Sequence, residues 1–491
     1  MLLMLRMAFG IIYIIQAVFY RITSFIDRKK PQKLPPITDS LLTFSATALA
    51  RKIRQREVTC YDVVNAYILQ IKKVNPILNA VVDNRFFDAI YEAKIYDEQL
   101  ASGKFDIETL EKEKPLYGIP LTVKESCALK GCSHTSGSLG RKGVKASCDA
   151  VVIELLRNAG AIPVCVTNIP EQCGGFESAN LLYGRTYNPY DTRYTSGGSS
   201  GGEGALIGAG ASVIGIGSDL AGSIRIPALY NGIFGHKPTA GIISNIGHFP
   251  YSEDKDFQKL LTTGPLTRYA EDLELLMKVL TSTCDRNLRL DVPVDLRQLK
   301  VYYRFSMDEA FGILPVVPEI KNCVQKVVTH FTQYDIRAEE LKKYGIIEFL
   351  KSLFGLSQHT TQTALLAAIF DTHFPFSESD ILHYIKQGKE IRQKLLDLLG
   401  ENGIFIYPTF RRPAIYPEFS VCETLNTIYC GIFNTFGFPA VHVPMGLNHK
   451  GLPIGVQIVA APYQDCLCLA VAKELETAFG GWVPPSISIS E

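Results

Sequence analysis

Apolar positions in the first third of the chain recur every three or four residues, which predicts helices over residues 46–56, 60–73 and 89–100. Thr59 stands before the second of these with Asp62 three residues on, a pairing that resembles a capping box. Short apolar runs at 117–123 and 162–167 read as strands, and a helical stretch at 150–158 precedes the second of them. That alternation is the rhythm of an α/β fold. Further strands are predicted at 301–305, 404–407 and 454–460, and no internal repeat or low-complexity tract interrupts the pattern.

Two segments are too apolar for an ordinary amphipathic pattern. Residues 348–370 have a helical period with only two charges, Glu348 and Lys351, and read either as a core helix or as an element facing a membrane or substrate channel. Residues 1–20 hold one charge, Arg6, and their uncharged run is 14 residues long. A membrane-spanning helix takes about 20 residues, but Arg6 is near enough to the terminus to snorkel, so residues 2–20 are read as an anchor helix. A secretory signal peptide is the competing reading, yet no small-x-small cleavage site follows and the chain runs straight into Arg21 and the Asp27, Arg28, Lys29, Lys30 cluster. The excess of positive charge after the anchor puts the main domain on the cytosolic side, on an endomembrane or lipid droplet. The sequence PQKLPP at 31–36 reads as a stiff linker. The chain thus divides into an anchor with its basic flank at 1–30, a linker at 31–40 and one large domain at 41–491.

Composition narrows the classes. With 491 residues and 47 % of them hydrophobic the chain has the material for a large core, and a net charge of +1 gives no global field for nucleic acid. Twelve cysteines are scattered without a C-x-x-C pair or a zinc-like Cys/His cluster, so no metal site is expected. The absence of any N-x-[ST] sequon agrees with a reduced, cytosolic setting.

The candidate chemistry lies where glycine concentrates: residues 118–241 hold 22 of the 39 glycines. The stretch 196–205 (SGGSSGGEGA) carries neither a P-loop nor a G-x-G-x-x-G pattern, which sets nucleotide binding aside. Residues 198–202 do match the G-x-S-x-G elbow of α/β-hydrolases, with His442 and His449 downstream as possible partners, but that reading leaves the second cluster, 217–227 (GSDLAGSIRIP), without a purpose. An arrangement that uses both clusters places Ser223 in a tight turn whose successive N–H groups, from Leu220, Ala221, Gly222 and Ser223, face one spot as an oxyanion hole. No histidine lies near in sequence. Lys124 ends a predicted strand, and a lysine buried in a low-dielectric site loses affinity for its proton and can act as a base. Ser199 then stands between Lys124 and Ser223 as a proton relay.

Residues 118–125 (GIPLTVKE), 188–189 (NP), 197–202 (GGSSGG), 219–227 (DLAGSIRIP), 235–239 (GHKPT) and 451–457 (GLPIGVQ) resemble, in order and spacing, the amidase signature family of Ser-Ser-Lys hydrolases. The resemblance spans roughly residues 40–485. It implies a mixed, twisted central sheet with helices on both faces and cofactor-free hydrolysis of a carboxamide through an acyl-enzyme. By the same resemblance Ser223 is the nucleophile, Ser199 the bridging serine and Lys124 the base, with Ser200, Asp219 and Arg225 in support. One departure is Ala221, where the family commonly has glycine; its methyl is strained only if the turn needs positive φ there.

Within the family, the apolar N-terminal segment and the wording around the motifs most resemble the fatty-acid amide hydrolases, the type 2 branch in particular. That likeness implies a lipid amide as substrate, the bilayer as a partner, and Cys173, Gly174 and Gly175 along the acyl pocket. A second copy of the chain is a further candidate partner; nucleic acid is not. The alternatives are a hydrolase of small or aryl amides, an amidotransferase subunit, and a catalytically silent lipid-binding member of the fold.

Overall fold

The computed structural model describes residues 30–307, 313–341 and 378–485. The predicted anchor helix at 2–20 and the apolar stretch 348–370 lie outside them. Among the described residues no helix is long and apolar enough to cross a membrane.

Side-chain caps start the first helices where the sequence places them. Ser45 and Thr59 open Ala46–Arg54 and Cys60–Leu78 by accepting from the Ala48 and Asp62 N–H groups at 3.0 and 2.9 Å. The expected capping box takes a different form. Asp62 accepts from the Thr59 hydroxyl at 2.6 Å, while Asp97, from helix Phe86–Ala101, takes the Cys60 and Tyr61 N–H groups at 2.7 and 2.9 Å. The second helix runs past its predicted end because Pro76 is accommodated in the last turn, and it stops at Asn79 in a left-handed conformation, φ 51°.

Thirteen strands follow among the described residues. Those of the first half are β1 (Val81–Asn84), β2 (Pro120–Lys124), β3 (Ile162–Thr167), β4 (Ala179–Asn180), β5 (Gly184–Arg185), β6 (Ile214–Asp219), β7 (Phe234–Lys237) and β8 (Thr262–Thr267). The second half adds β9 (Lys300–Tyr303), β10 (Ala338–Glu340), β11 (Gly403–Tyr407), β12 (Ala440–Leu447) and β13 (Pro453–Ala460). Eleven of them form one sheet in the order β1-β3-β2-β6-β8-β7-β12-β13-β11-β9-β10, and β4 and β5 pair separately. The pairs β3–β2, β2–β6, β11–β9 and β9–β10 are parallel and the rest antiparallel, so the sheet is mixed. Every residue of β2, β3, β6, β8, β11 and β13 is buried. Because successive side chains point to opposite faces, both faces of the sheet must be covered.

The predicted strands at 117–123, 162–167, 301–305, 404–407 and 454–460 correspond to β2, β3, β9, β11 and β13. Strands β6, β7, β8 and β12 carry no sequence signal of their own, because glycine, proline or a polar residue breaks each apolar run. Residues 31–40 are not a free tether throughout: Leu34 is buried in the core and the Gln32 N–H bonds to Thr192 Oγ1 at 2.9 Å.

Two motifs prove to be structural fasteners. In GHKPT, His236 and Thr239 converge on Asp465 at the start of helix Asp465–Phe479, with Asp465 accepting from the Thr239 N–H at 2.9 Å and from its hydroxyl at 2.6 Å. In GGSSGGEG, Gly202 allows helix Gly201–Gly208 to lie against the chain after β3, where a Cβ would stand 2.5 Å from the Asn168 nitrogen. The same helix carries Glu203, whose carboxyl accepts from Thr122 on β2 at 2.5 Å and Thr167 on β3 at 2.7 Å. Burial pushes the Glu203 carboxyl up to about 8.

A folded-state pKa raised from about 4.5 to about 8 means that the native state holds a proton the unfolded chain releases, so stability falls as pH rises through that window. Glu203→Gln keeps the neutral shape and should flatten this decline; melting temperatures measured from pH 5 to pH 8 check it, and parallel slopes for the two proteins would refute it.

Candidate active site

Strand β2 ends at Lys124, and β6 ends at Asp219 immediately before the turn that carries Ser223. Because β2 and β6 are parallel neighbours, both segments leave the sheet on the same edge. The glycine-rich loop before helix Gly201–Gly208 brings Ser199 to the same place. This is the edge at which open α/β sheets collect functional groups.

The lysine is sealed in. Lys124 has no solvent exposure and Ser199 is 1 % exposed, whereas Ser223 is half-buried. Lys124 Nζ lies 2.7 Å from Ser199 Oγ, 2.9 Å from Ser218 Oγ and 3.3 Å from the Ser218 carbonyl oxygen. The Ser200 N–H donates to the Ser223 carbonyl at 3.1 Å, which holds the Ser199 loop against the Ser223 turn. Ser200 Oγ itself reaches only the Ser218 carbonyl, at 3.5 Å.

The turn is organised from behind by a buried ion pair. Asp219 Oδ1 lies 3.0 Å from Arg225 Nη2, and Oδ2 is 3.0 Å from Nε, with both side chains fully buried. Asp219 also accepts from the Gly222 N–H at 2.6 Å and the Ile224 N–H at 3.1 Å, so one carboxylate sets the path of the turn. Burial alone would raise the Asp219 carboxyl, but the Arg225 guanidinium outweighs it and holds the group well below the usual carboxylate range. Arg225 is held in turn by Gln457 on β13 at 2.8 Å and Asn434 on helix Ile428–Phe436 at 2.6 Å.

These contacts correct one expectation and remove a concern. The Gly222 N–H, read as an oxyanion donor, is already committed to Asp219; among the described residues the Leu220, Ala221 and Ser223 N–H groups have no acceptor. Ala221 does not take a left-handed backbone, whereas Gly222 does, φ 118°, and a Cβ there would stand 2.8 Å from Cys430 Cβ. The alanine is therefore tolerated at 221 and the glycine is required at 222.

The elbow reading of residues 198–202 does not survive. His442 is buried and bonded through Nδ1 to Thr409 Oγ1 at 2.7 Å, His449 is 76 % exposed beside Glu319, and neither touches Ser200. Cys173, Gly174 and Gly175 form the end of a short turn whose Gly175 carbonyl packs against Gly198, adjacent to Ser199: a Cβ on Gly198 would meet it at 2.9 Å. The sequence did not single out Ser218 or Asn434. Ser218 lies inside a motif already read for its neighbours, and Asn434 belongs to an apolar helix with no local mark of function.

Comparison with known proteins agrees with this geometry. The family model described as Amidase matches residues 62–344 and 317–469. The chain is 40 % identical to fatty-acid amide hydrolase 2 of Homo sapiens, over 92 % of each chain. It is 39 % identical to fatty-acid amide hydrolase 2-A of Danio rerio, over 98 % of this chain and 97 % of that one. A solved fatty acid amide hydrolase superposes with a TM-score of 0.78 at 22 % identity, covering 91 % of this chain and 87 % of that one, a likeness of fold. The large mixed sheet and the matched family place the chain in the amidase family, as a hydrolase acting on amides.

Proposed function

We propose that this protein is a membrane-associated hydrolase of fatty-acid amides, cleaving primary amides and N-acylethanolamines to fatty acid and amine through Ser223, Ser199 and Lys124. The observation that carries the mechanism is the 2.7 Å contact between a fully buried lysine nitrogen and Ser199. In its neutral form the amine has a lone pair to accept the Ser199 proton.

Ser199 passes its proton to Lys124 as it takes the proton of Ser223, whose Oγ bonds to the amide carbon. The Leu220, Ala221 and Ser223 N–H groups receive the negative charge that develops on the carbonyl oxygen, a contribution of about 3–4 kcal/mol per donor in comparable holes. The C–N bond then breaks, and the proton returns from Lys124 through Ser199 to the leaving amine. Water attacks the acyl-enzyme by the same route, releasing the acid and restoring Ser223. Asp219 and Arg225 hold the turn, and Ser200 joins the two loops through its backbone.

The lipid substrate is supported by the likeness to the fatty-acid amide hydrolases and by apolar surface in the structure. Leu220, beside Ser223, is 42 % exposed. A cavity of about 370 Å³ is lined by Met307, Leu341, Phe405 and Phe433 among others. Helix Ile428–Phe436 supplies both Phe433 to this cavity and Cys430 to the back of the nucleophile turn. Cys173, Gly174 and Gly175 are assigned to the acyl side of the site. The apolar segment 2–20 is assigned as the anchor that keeps the enzyme where such substrates dissolve.

Purified protein should turn over a long-chain primary amide and an N-acylethanolamine, and Ser223→Ala should abolish both this turnover and labelling by a fluorophosphonate; activity on short amides alone would sink the lipid reading. Lys124→Ala should lower kcat by roughly 10²–10⁴ and leave a residual rate that climbs with pH, since solvent base replaces the lysine. A pH–rate series that overlays the parent enzyme would remove Lys124 from the mechanism. Deleting residues 1–29 leaves Leu34 in the core and should release the protein from phosphatidylcholine vesicles while preserving hydrolysis of a soluble amide, with undiminished vesicle binding as the contrary result.

A further inference from the structure

His248 lies outside every motif discussed above, yet it reaches the base through one side chain. It is 5 % exposed and sits on a backbone fastened to the segment that follows Lys124: the Ala128 N–H bonds to the Gly247 carbonyl at 2.9 Å and the Phe249 N–H to the Ser126 carbonyl at 2.8 Å. Its Nδ1 is 2.8 Å from the Pro250 carbonyl oxygen and its Nε2 is 2.9 Å from Ser218 Oγ. Ser218 Oγ is in turn 2.9 Å from Lys124 Nζ.

The hydrogen-bond inventory of this chain has one consistent solution. A carbonyl only accepts, so Nδ1 carries a proton and donates to Pro250. Burial, and after it the charge of Lys124 in its ammonium form, push the imidazole down to about 4, so at neutral pH it carries that one proton and Nε2 accepts. The other titratable groups close to it are Cys127, bridged to it across the backbone, and His134, whose ring packs on Phe249. The Ser218 hydroxyl therefore donates to Nε2, and its oxygen is left to accept from Lys124.

A neutral amine has two N–H bonds and one lone pair. Ser218 offers Lys124 two acceptors, Oγ and the carbonyl oxygen, and Ser199 Oγ is the third oxygen beside it, accepting from the ammonium form and able to donate to the lone pair of the neutral one. We infer that His248 is a positioning residue for Lys124: by keeping the Ser218 proton on its own side, it turns both lysine N–H bonds toward Ser218 and the lone pair toward Ser199. Without that acceptor the Ser218 hydroxyl is free to donate to the same lone pair and block it. Once Lys124 has taken the Ser199 proton, its three N–H bonds meet three oxygens, so the cage suits both states. The inference rests on the Ser-Ser-Lys reading above and adds a fourth side chain to it.

Two substitutions separate the two ring nitrogens. His248→Gln carries an amide to the position of Nε2, where its oxygen accepts from Ser218, whereas His248→Asn reaches only the position of Nδ1 and keeps a donor for Pro250. The expected result is near-parental kcat for His248→Gln and a loss of about tenfold or more in kcat, with KM unchanged, for His248→Asn. Ser218→Ala should lower kcat as well, and adding His248→Asn to it should cost nothing further, because the two act through one hydroxyl. The reverse order, with Asn active and Gln impaired, would show that His248 matters only as a strut for Pro250. Additive losses, or a Ser218→Ala enzyme with full kcat, would overturn the inference even if a histidine variant failed to fold. If Lys124→Ala retained full activity, the underlying reading would fall instead, so the two failures are distinguishable.

Discussion

The Asp219–Arg225 pair is the constraint around which the site is assembled. Two opposite charges with no solvent exposure are tolerable only because each is surrounded by partners, and removing one member of such a pair typically costs about 3–5 kcal/mol. Asp219 is the last residue of β6 and Arg225 the first of helix Arg225–Asn231, so their contact closes the turn between them. Gln457 on β13 and Asn434 on helix Ile428–Phe436 complete the shell, which ties the Ser223 turn to two distant parts of the chain. The N–H groups of Leu220, Ala221 and Ser223 are preorganised because the Gly222 and Ile224 N–H groups have been taken by the carboxylate.

From that turn the site grades from dry to open. Lys124 and Ser199 are sealed, Ser223 is half-buried, and Leu220 stands in solvent. Such a gradient keeps water from Lys124 and Ser199 while leaving Ser223 within reach of a ligand. Glu203, Thr122 and Thr167 lie behind the lysine on the sheet side and join the helix after Ser199 to the strands beside it. A neutral carboxyl performs this joining without placing a full negative charge near the base.

The motifs therefore divide by task. Those at 118–125, 197–202 and 219–227 bring Lys124, Ser199 and Ser223 to one edge of the sheet. Asn188 bonds the Thr195 and Tyr230 carbonyls at 3.1 and 2.8 Å, GHKPT holds the C-terminal helix, and Gln457 of GLPIGVQ holds Arg225. Glycine serves both tasks for one reason: at 202 and 222 a methyl would collide with a neighbour at 2.5 and 2.8 Å.

Local pattern was enough to read the α/β rhythm, the helices at the N-terminal end and five of the sheet strands, because helical and strand periods are properties of near neighbours. It also put Lys124 at a strand end and Ser223 in a tight turn. Strands whose apolar run is broken escaped it, as in β6, interrupted by Gly215 and Gly217, and β12, interrupted by His442 and Pro444. Contacts escaped it too. Lys124 meets Ser199 across 75 residues and Ser218 across 94, and Ser218 meets His248 across 30. The chain alone marked Lys124, Ser199 and Ser223 as the candidates for acyl-transfer chemistry. Only the packing of the sheet decided which oxygens surround the lysine, which N–H of the turn is already spent, and which histidine stands beside Ser218, because each depends on the direction of atoms brought together from segments with no local relation to one another.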